Sequence, residues 1–258
     1  MKQSNNSLRC YTIGYSDLPR AVFLYFIKKE QIDTLVDVRT TPYSSYQPNY
    51  NKKELKTFLE SNDIQYQYCG DRLGGYHTEP DLLFGDGTVN YENVRKRPAF
   101  QQAIDDLIDL IKQSRTVCLM CAEKKPQQCH RFILISQELQ ARGIQVIHIV
   151  PSIDLIPNEQ LEEELFNEMF DPGQSNLLHQ PKRNVEELYQ KLNRILAYRT
   201  DTKQNSGLTN AKTEIIGFSQ SSAPFNESGF PSSDKKTISG KNKHMRKGIT
   251  DDTQDTLF

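Results

Sequence analysis

Thr116-Val-Cys-Leu-Met-Cys-Ala-Glu-Lys-Lys-Pro-Gln-Gln-Cys-His-Arg131 is the stretch whose reading decides the fold. Its first six residues form an apolar run too short for a helix, the pattern of a parallel strand buried on both faces. A helix is expected from Pro126 to Arg142, with the proline in its first turn and Gly143 just past its end. Gln145-Val-Ile-His-Ile-Val150 then returns as a strand.

Towards the N-terminus the same alternation repeats. Arg9–Gly14 reads as a buried strand ending in the turn Gly14-Tyr-Ser-Asp17, where Ser16 or Asp17 is placed to cap a helix. Thr34-Leu-Val-Asp-Val-Arg39 is a second strand, Lys52–Asn62 a helix and Gln65–Tyr68 a short strand. Residues 70–97 read as a long irregular insert carrying Gly70, Gly74, Gly75, Gly85 and Gly87, and Pro98 opens a helix with Phe100, Ile104, Leu107, Ile108 and Ile111 on one face. Strand–helix alternation implies an α/β fold, a mostly parallel sheet with helices on both faces in a Rossmann-like layout. Residues 1–170 are assigned to this α/β domain, 171–199 to an accessory helical segment and 200–258 to a polar tail expected to be disordered. Within the tail, Lys235–Lys247 holds six Lys or Arg in thirteen residues, read as a solvated linker or as a contact for nucleic acid or an acidic partner.

The 32 Lys and Arg nearly balance the 33 Asp and Glu, leaving a formal net charge of −1. That balance supplies no global drive towards nucleic acid or an anionic membrane. The 5 cysteines are too few and too uneven for a disulfide scaffold. The first residues carry no apolar leader, and no run of about 18 apolar residues exists to span a membrane. The expectation is a cytoplasmic protein with reduced thiols and no membrane partner.

Ligands of open parallel sheets bind beyond the carboxyl ends of the strands. Cys121 ends its strand there, and Cys129, His130 and Arg131 fall in the first turns of the expected helix, where N–H groups favour an anion or thiolate. Cys121, Glu123, Cys129 and His130 are therefore the candidate catalytic residues. Arg39, ending a neighbouring strand, and Arg131 are candidates for holding an anionic group. Blander readings stand beside these. Cys118, Cys121 or Cys129 are small buried hydrophobes, His148 is a satisfied core histidine, and Asp37 only orients Arg39. His77 lies in the long loop within reach of the site.

Zinc is the alternative use of the cluster, with Cys69 or His77 as fourth ligand to Cys121, Cys129 and His130. Neighbouring residues on a helix point about 100° apart, which sets Cys129 and His130 against a shared ion. No cofactor is therefore expected and no metal ligand assigned.

Thr12-Ile-Gly-Tyr-Ser16, Leu35–Arg39 with Pro42-Tyr-Ser-Ser-Tyr46 and Pro48–Asn51, Leu73-Gly-Gly75, and Leu119–Glu123 with Pro126 and Cys129–Arg131 resemble the bacterial domain of unknown function 488 family. The likeness extends over about residues 9–170 and implies an intracellular α/β fold without assigning an activity. Its motif residues Ser16, Ser44, Tyr46, Gly74 and Gly75 join Arg39 and Arg131 as substrate-binding candidates. Tyr15 stands where many members carry His, which removes an acid/base group from that position. The layout around Leu35–Arg39 and Cys121 is also similar to rhodanese-like domains.

Three functions remain open on this reading. The first is an enzyme whose activated Cys121 or Cys129 works on an anionic nucleotide, nucleic-acid or thiol substrate beneath a lid carrying Tyr76, His77, Tyr91 and Arg95. The second is a binding module in which Tyr43, Tyr46 and Tyr50 stack on bases. The third is a thiol or metal sensor with a reversible Cys121–Cys129 disulfide. The oligomeric state is not legible.

Overall fold

The computed structural model describes residues 8–113, 115–151, 153–170 and 184–200; the expectations for residues 201–258, the basic run included, lie outside them. Strands β1 (Arg9–Gly14), β2 (Thr34–Asp37), β3 (Gln65–Tyr68), β4 (Val117–Cys121), β5 (Gln145–Val150) and β6 (Asp154–Pro157) form one sheet in the order β3-β2-β4-β1-β5-β6. All pairings are parallel except that of β6, which runs antiparallel to β5 at the edge. The α/β architecture is thus as expected. The edge strand is a feature the sequence reading lacked: four residues ending in proline carry too little alternation to register.

The helices are α1 (Arg20–Lys29), α2 (Lys52–Glu60), α3 (Gly70–Leu73), α4 (Tyr91–Arg95), α5 (Pro98–Lys112), α6 (Gln137–Ala141), α7 (Asn158–Phe170) and α8 (Val185–Leu196). Ile13, Leu35, Cys118 and Met120 pack with Phe23, Ile27, Leu55 and Leu59 of α1 and α2 on one face. Val36, Leu119 and Cys121 pack on the other, with side chains of α5, α7 and α8. The period of two along β4 therefore sends Cys118 and Cys121 to opposite faces, and their spacing cannot make a common hook. Cys118 is therefore not part of the group that gathers around Cys121. Among the described residues no helix is long and apolar enough to cross a membrane.

Two local expectations need correction. Neither Ser16 nor Asp17 caps α1: Pro19 holds the cap position with no side-chain bond, while the Ser16 hydroxyl donates to the Ala122 carbonyl. Residues 70–97 are not an irregular insert. They contain α3, a 3-10 turn at Pro80–Leu82, α4 and a bridge between Leu83 and Val89. Loop-forming glycines hid these short elements, whose apolar members Leu73, Leu82, Val89, Tyr91 and Val94 are all buried.

His148 is a satisfied core residue. Its Nδ1 meets the Thr12 hydroxyl at 2.8 Å and its Nε2 the Asn158 side chain at 2.9 Å. Burial, with Arg131 nearby, pulls its pKa down to about 3. Asn158 in turn meets Tyr189 at 3.1 Å, tying β5, α7 and α8 together through buried polar bonds.

Candidate metal and thiol centre

The site is built where β1 and β4 run on past their last ladder residues. Tyr15 N–H donates to Cys121 O at 3.1 Å and Ser16 N–H to Ala122 O at 2.9 Å, so the chain after Cys121 stays pinned to β1. Gly14 is required there, because a Cβ would run into the Glu123 carbonyl. The buried Arg131 guanidinium closes the turn, donating to Glu123 O at 2.6 Å and Lys124 O at 3.2 Å. Glu123 is thereby fixed two residues beyond the strand end.

The segment that follows is not the continuous helix expected from Pro126. Pro126–Gln128 forms one 3-10 turn, Cys129 is extended with φ −128° and ψ 145°, and a π-helical turn runs over Arg131–Ser136 before α6. This overturns the objection that Cys129 and His130 must diverge: Cys129 lies ahead of the helix, so helical spacing does not govern the pair. The result is convergence. Ligand-type atoms of Cys121, Glu123, Cys129 and His130 all lie within 4.8 Å of one another.

Glu123 Oε2 is 2.8 Å from Cys121 Sγ and 3.0 Å from Cys129 Sγ. His130 Nδ1 lies 3.7 Å from each sulfur. Its Nε2 meets the Val38 carbonyl at 3.0 Å. A carbonyl only accepts, so Nε2 carries the proton there and the Nδ1 edge faces the sulfurs. Gly75 makes room for the imidazole: a Cβ on it would stand 2.7 Å from His130 Cβ and Cγ. The Glu123 atom turned away from the sulfurs, Oε1, accepts from Tyr198 Oη at 2.9 Å.

Burial pushes the Cys121 thiol well above its usual range, helped by the neighbouring Cys129 sulfur and Glu123. Burial opposes ionisation of Cys129 too, but the Cys121 hydrogen bond, Arg131 and His130 hold it down, to about 6. For Glu123, His130 and the two sulfur bonds outweigh burial and bring the carboxyl to about 2. His130 is raised against the pull of burial by Cys129 and Glu123. A conflict follows. An ionised Cys129 has no proton to donate, yet it sits 3.0 Å from the same carboxylate oxygen that Cys121 approaches. Both sulfurs can donate to Glu123 Oε2 while they are protonated; once Cys129 ionises, a proton or a cation between the two groups relieves their repulsion.

The remaining predicted residues are placed elsewhere. Arg39 does not offer its fork to a ligand. Only 4% exposed, it donates to Asp37 at 2.9 and 2.7 Å, to Tyr15 Oη at 3.1 Å and to Tyr50 O at 2.8 Å. Asp37 orients it, as the blander reading held. Arg131 gives its two terminal nitrogens to the 123–124 turn, while its buried Nε has no hydrogen-bond partner. Ser44 bonds within its own loop, to Asn51 and Gln47. Tyr43 and Tyr46 are exposed, but Tyr50 is buried and stacks on Tyr15 at 4.2 Å, so it is no base platform. Gly74 backs onto Thr40, and Gly75 onto His130. Cys69 and His77 are not in the ligand set; His77 bonds to the Gly74 carbonyl at 3.0 Å. Of the supposed lid, Tyr91 is buried with its hydroxyl on Gly75 O, and Arg95 faces Glu186 at 3.5 Å. Tyr198 was missed altogether, because nothing local marks a lone tyrosine 75 positions from its partner.

A parallel α/β sheet with a buried Cys-Glu-Cys-His cluster at the carboxyl end of its third strand in space defines the class. Residues 20–137 match the family model described as Domain of unknown function DUF488. The match takes in Cys121, Glu123, Cys129 and His130 and ends before β5, α7 and α8. No curated protein and no solved structure matches the chain.

Proposed function

We propose that the chain is a metal-binding protein in which Cys121, Glu123, Cys129 and His130 hold one divalent ion, with zinc the best match. The carrying observation is the gathering of two sulfurs, an imidazole nitrogen and a carboxylate oxygen within 4.8 Å inside the fold. Tetrahedral zinc with bonds of about 2.0–2.3 Å sets its ligand atoms about 3.3–3.8 Å apart. The Sγ–Nδ1 separations of 3.7 Å fall inside that range, while the Sγ–Oε2 separations of 2.8 and 3.0 Å are below it, so Glu123 Oε2 has to draw back from both sulfurs to admit the ion.

The donor chemistry supports the same ion. Two thiolates and an imidazole suit zinc and disfavour magnesium or calcium. The Val38 carbonyl holds the His130 ring in the tautomer that leaves Nδ1 free to ligate, an arrangement common around metal-bound histidine. Two thiolates, one carboxylate and a divalent ion leave a single negative charge, which the Arg131 guanidinium beside the turn offsets. Three of the four ligands are nearly without exposure, which favours a closed, structural or sensing centre over a hydrolytic one with an open position.

The test is metal analysis of the purified full-length chain with cobalt substitution. One zinc per chain is expected, together with a thiolate-to-cobalt charge-transfer band, and both should vanish in the Cys121→Ser/Cys129→Ser variant. A wild-type protein that takes up neither metal overturns the reading.

One observation favours a second reading. Cys129 Sγ lies 3.7 Å from His130 Nδ1 and 3.5 Å from the Arg131 backbone N–H, the setting of a nucleophilic thiol acting on an anionic nucleotide, nucleic-acid or thiol substrate. Iodoacetamide separates the two. A metal centre labels at Cys129 only after chelation, whereas a free nucleophile labels without it.

A further inference from the structure

The C-terminal end of the described fold returns to the cluster. After α8, Tyr198 O accepts from Val89 N–H at 2.8 Å and Thr200 N–H donates to Gly87 O at 3.0 Å. Arg199 grips the same loop, donating to Thr88 Oγ1 at 3.0 Å and to Asp86 at 2.7 Å. The Tyr198 ring meets Tyr76 edge-on at 6.1 Å. Residues 197–200 thus form a strap along residues 86–89, and from it the Tyr198 hydroxyl reaches Glu123 Oε1 at 2.9 Å.

We infer that Tyr198 is the positioning residue that makes Glu123 a ligand, and that the strap is thereby part of the metal centre; this rests on the metal reading above. Glu123 lies on a turn outside regular structure, so side-chain contacts set the direction of its carboxylate. Its two oxygens have separate duties here. Oε1 is anchored by Tyr198, and that anchor leaves Oε2 as the oxygen facing both sulfurs. A hydrogen bond to the far atom of a ligating group fixes its direction and spares the ion from ordering it. Tyr91, two residues beyond the loop under the strap, donates its hydroxyl to the carbonyl of Gly75, which backs His130. One structural unit therefore supports two of the four ligands. Residue 198 lies outside the family match of residues 20–137, so the chain's own C-terminal part completes a site whose ligands are all inside the match.

The test compares wild type and Tyr198→Phe as full-length chains, by zinc titration against a competing chelator and by the cobalt spectrum. Zinc affinity should fall about 10–100-fold, with an altered cobalt ligand-field band and an unchanged circular dichroism spectrum of the metal-free protein. A second measurement needs no variant. Zinc should slow hydrogen exchange at the amides of Val89 and Thr200 in the wild type. Failure of wild type to bind zinc or cobalt sinks the metal reading itself. Wild-type binding with a Tyr198→Phe affinity and cobalt spectrum indistinguishable from it, or strap amides indifferent to zinc, overturns the role of Tyr198 alone.

Discussion

Gly75→Ala adds a single methyl group at the point where the loop before α4 presses on the cluster. The new Cβ would stand 2.7 Å from both Cβ and Cγ of His130 and 2.9 Å from Tyr91 Oη, whereas ordinary contact begins at 3.4 Å. His130 has to withdraw by about 0.7 Å, and little allows it to. It is 3% exposed, and its Nε2 is held by the Val38 carbonyl. Tyr91, on the other side, is buried and bonded to Gly75 O. Overpacking of this kind costs about 1–3 kcal/mol, and the Val38 bond weakens with it. Metal ligands tolerate errors of about 0.2 Å, so zinc affinity should fall about tenfold or more. Gly85→Ala is the matched control, since nothing lies within 4 Å of its added methyl and its φ is ordinary. That change should be neutral, or stabilising by about 0.4–1 kcal/mol through the unfolded chain. Urea unfolding of both variants, with and without zinc, reads the difference. If Gly75→Ala unfolds at the same midpoint as Gly85→Ala and binds zinc as tightly as wild type, the close packing of His130 is not what holds the site.

Asp37→Ala leaves the Arg39 guanidinium buried without its partner at 2.7 Å and strips Tyr66 of its acceptor, so a loss of about 3–5 kcal/mol is expected in denaturant unfolding; a loss below about 1 kcal/mol would contradict a buried ion pair. His148 should make the fold acid-sensitive. It faces Thr12, Asn158 and Arg131, and stays neutral in the fold down to about pH 3, while the unfolded chain takes up its proton near pH 6.5. Its contribution is present above pH 6.5 and is lost as pH falls towards 3, at up to about 1.4 kcal/mol per pH unit. Urea midpoints measured from pH 7 to 4 should fall more steeply in wild type than in His148→Gln; equal slopes would show that His148 is not held neutral.

The strands were legible because each carries a physical signature that needs no partner. Val117–Cys121 is buried on both faces and reads as an apolar run, and Thr34–Asp37 is rich in β-branched side chains. Gly143, at φ +79°, ends its helix as its lack of a Cβ permits. Cys121, Glu123, Cys129 and His130 were also legible as a group, because they are close in sequence and follow a strand end. Their geometry was not. The proline and periodicity around residues 126–142 fit one long helix, but the break at Cys129 goes with His130 bonding the Val38 carbonyl and Arg131 the 123–124 turn, contacts that no local pattern encodes.

Arg39 and Tyr198 mark the boundary between the two kinds of information. An arginine at a strand end looks the same whether it meets a ligand or a buried carboxylate, and only the packed sheet pairs it with Asp37, Tyr15 and Tyr50. Residue order by itself determined the α/β architecture and the neighbourhood of the cluster, because strand, helix and turn preferences act over a few residues. Tertiary structure alone decided that four ligand-type atoms lie within 4.8 Å of one another, that Arg39 is spent inside the fold, and that the Tyr198 hydroxyl reaches Glu123. Each of these depends on contacts between segments far apart in the chain, whose energies exist only once the sheet has brought them together.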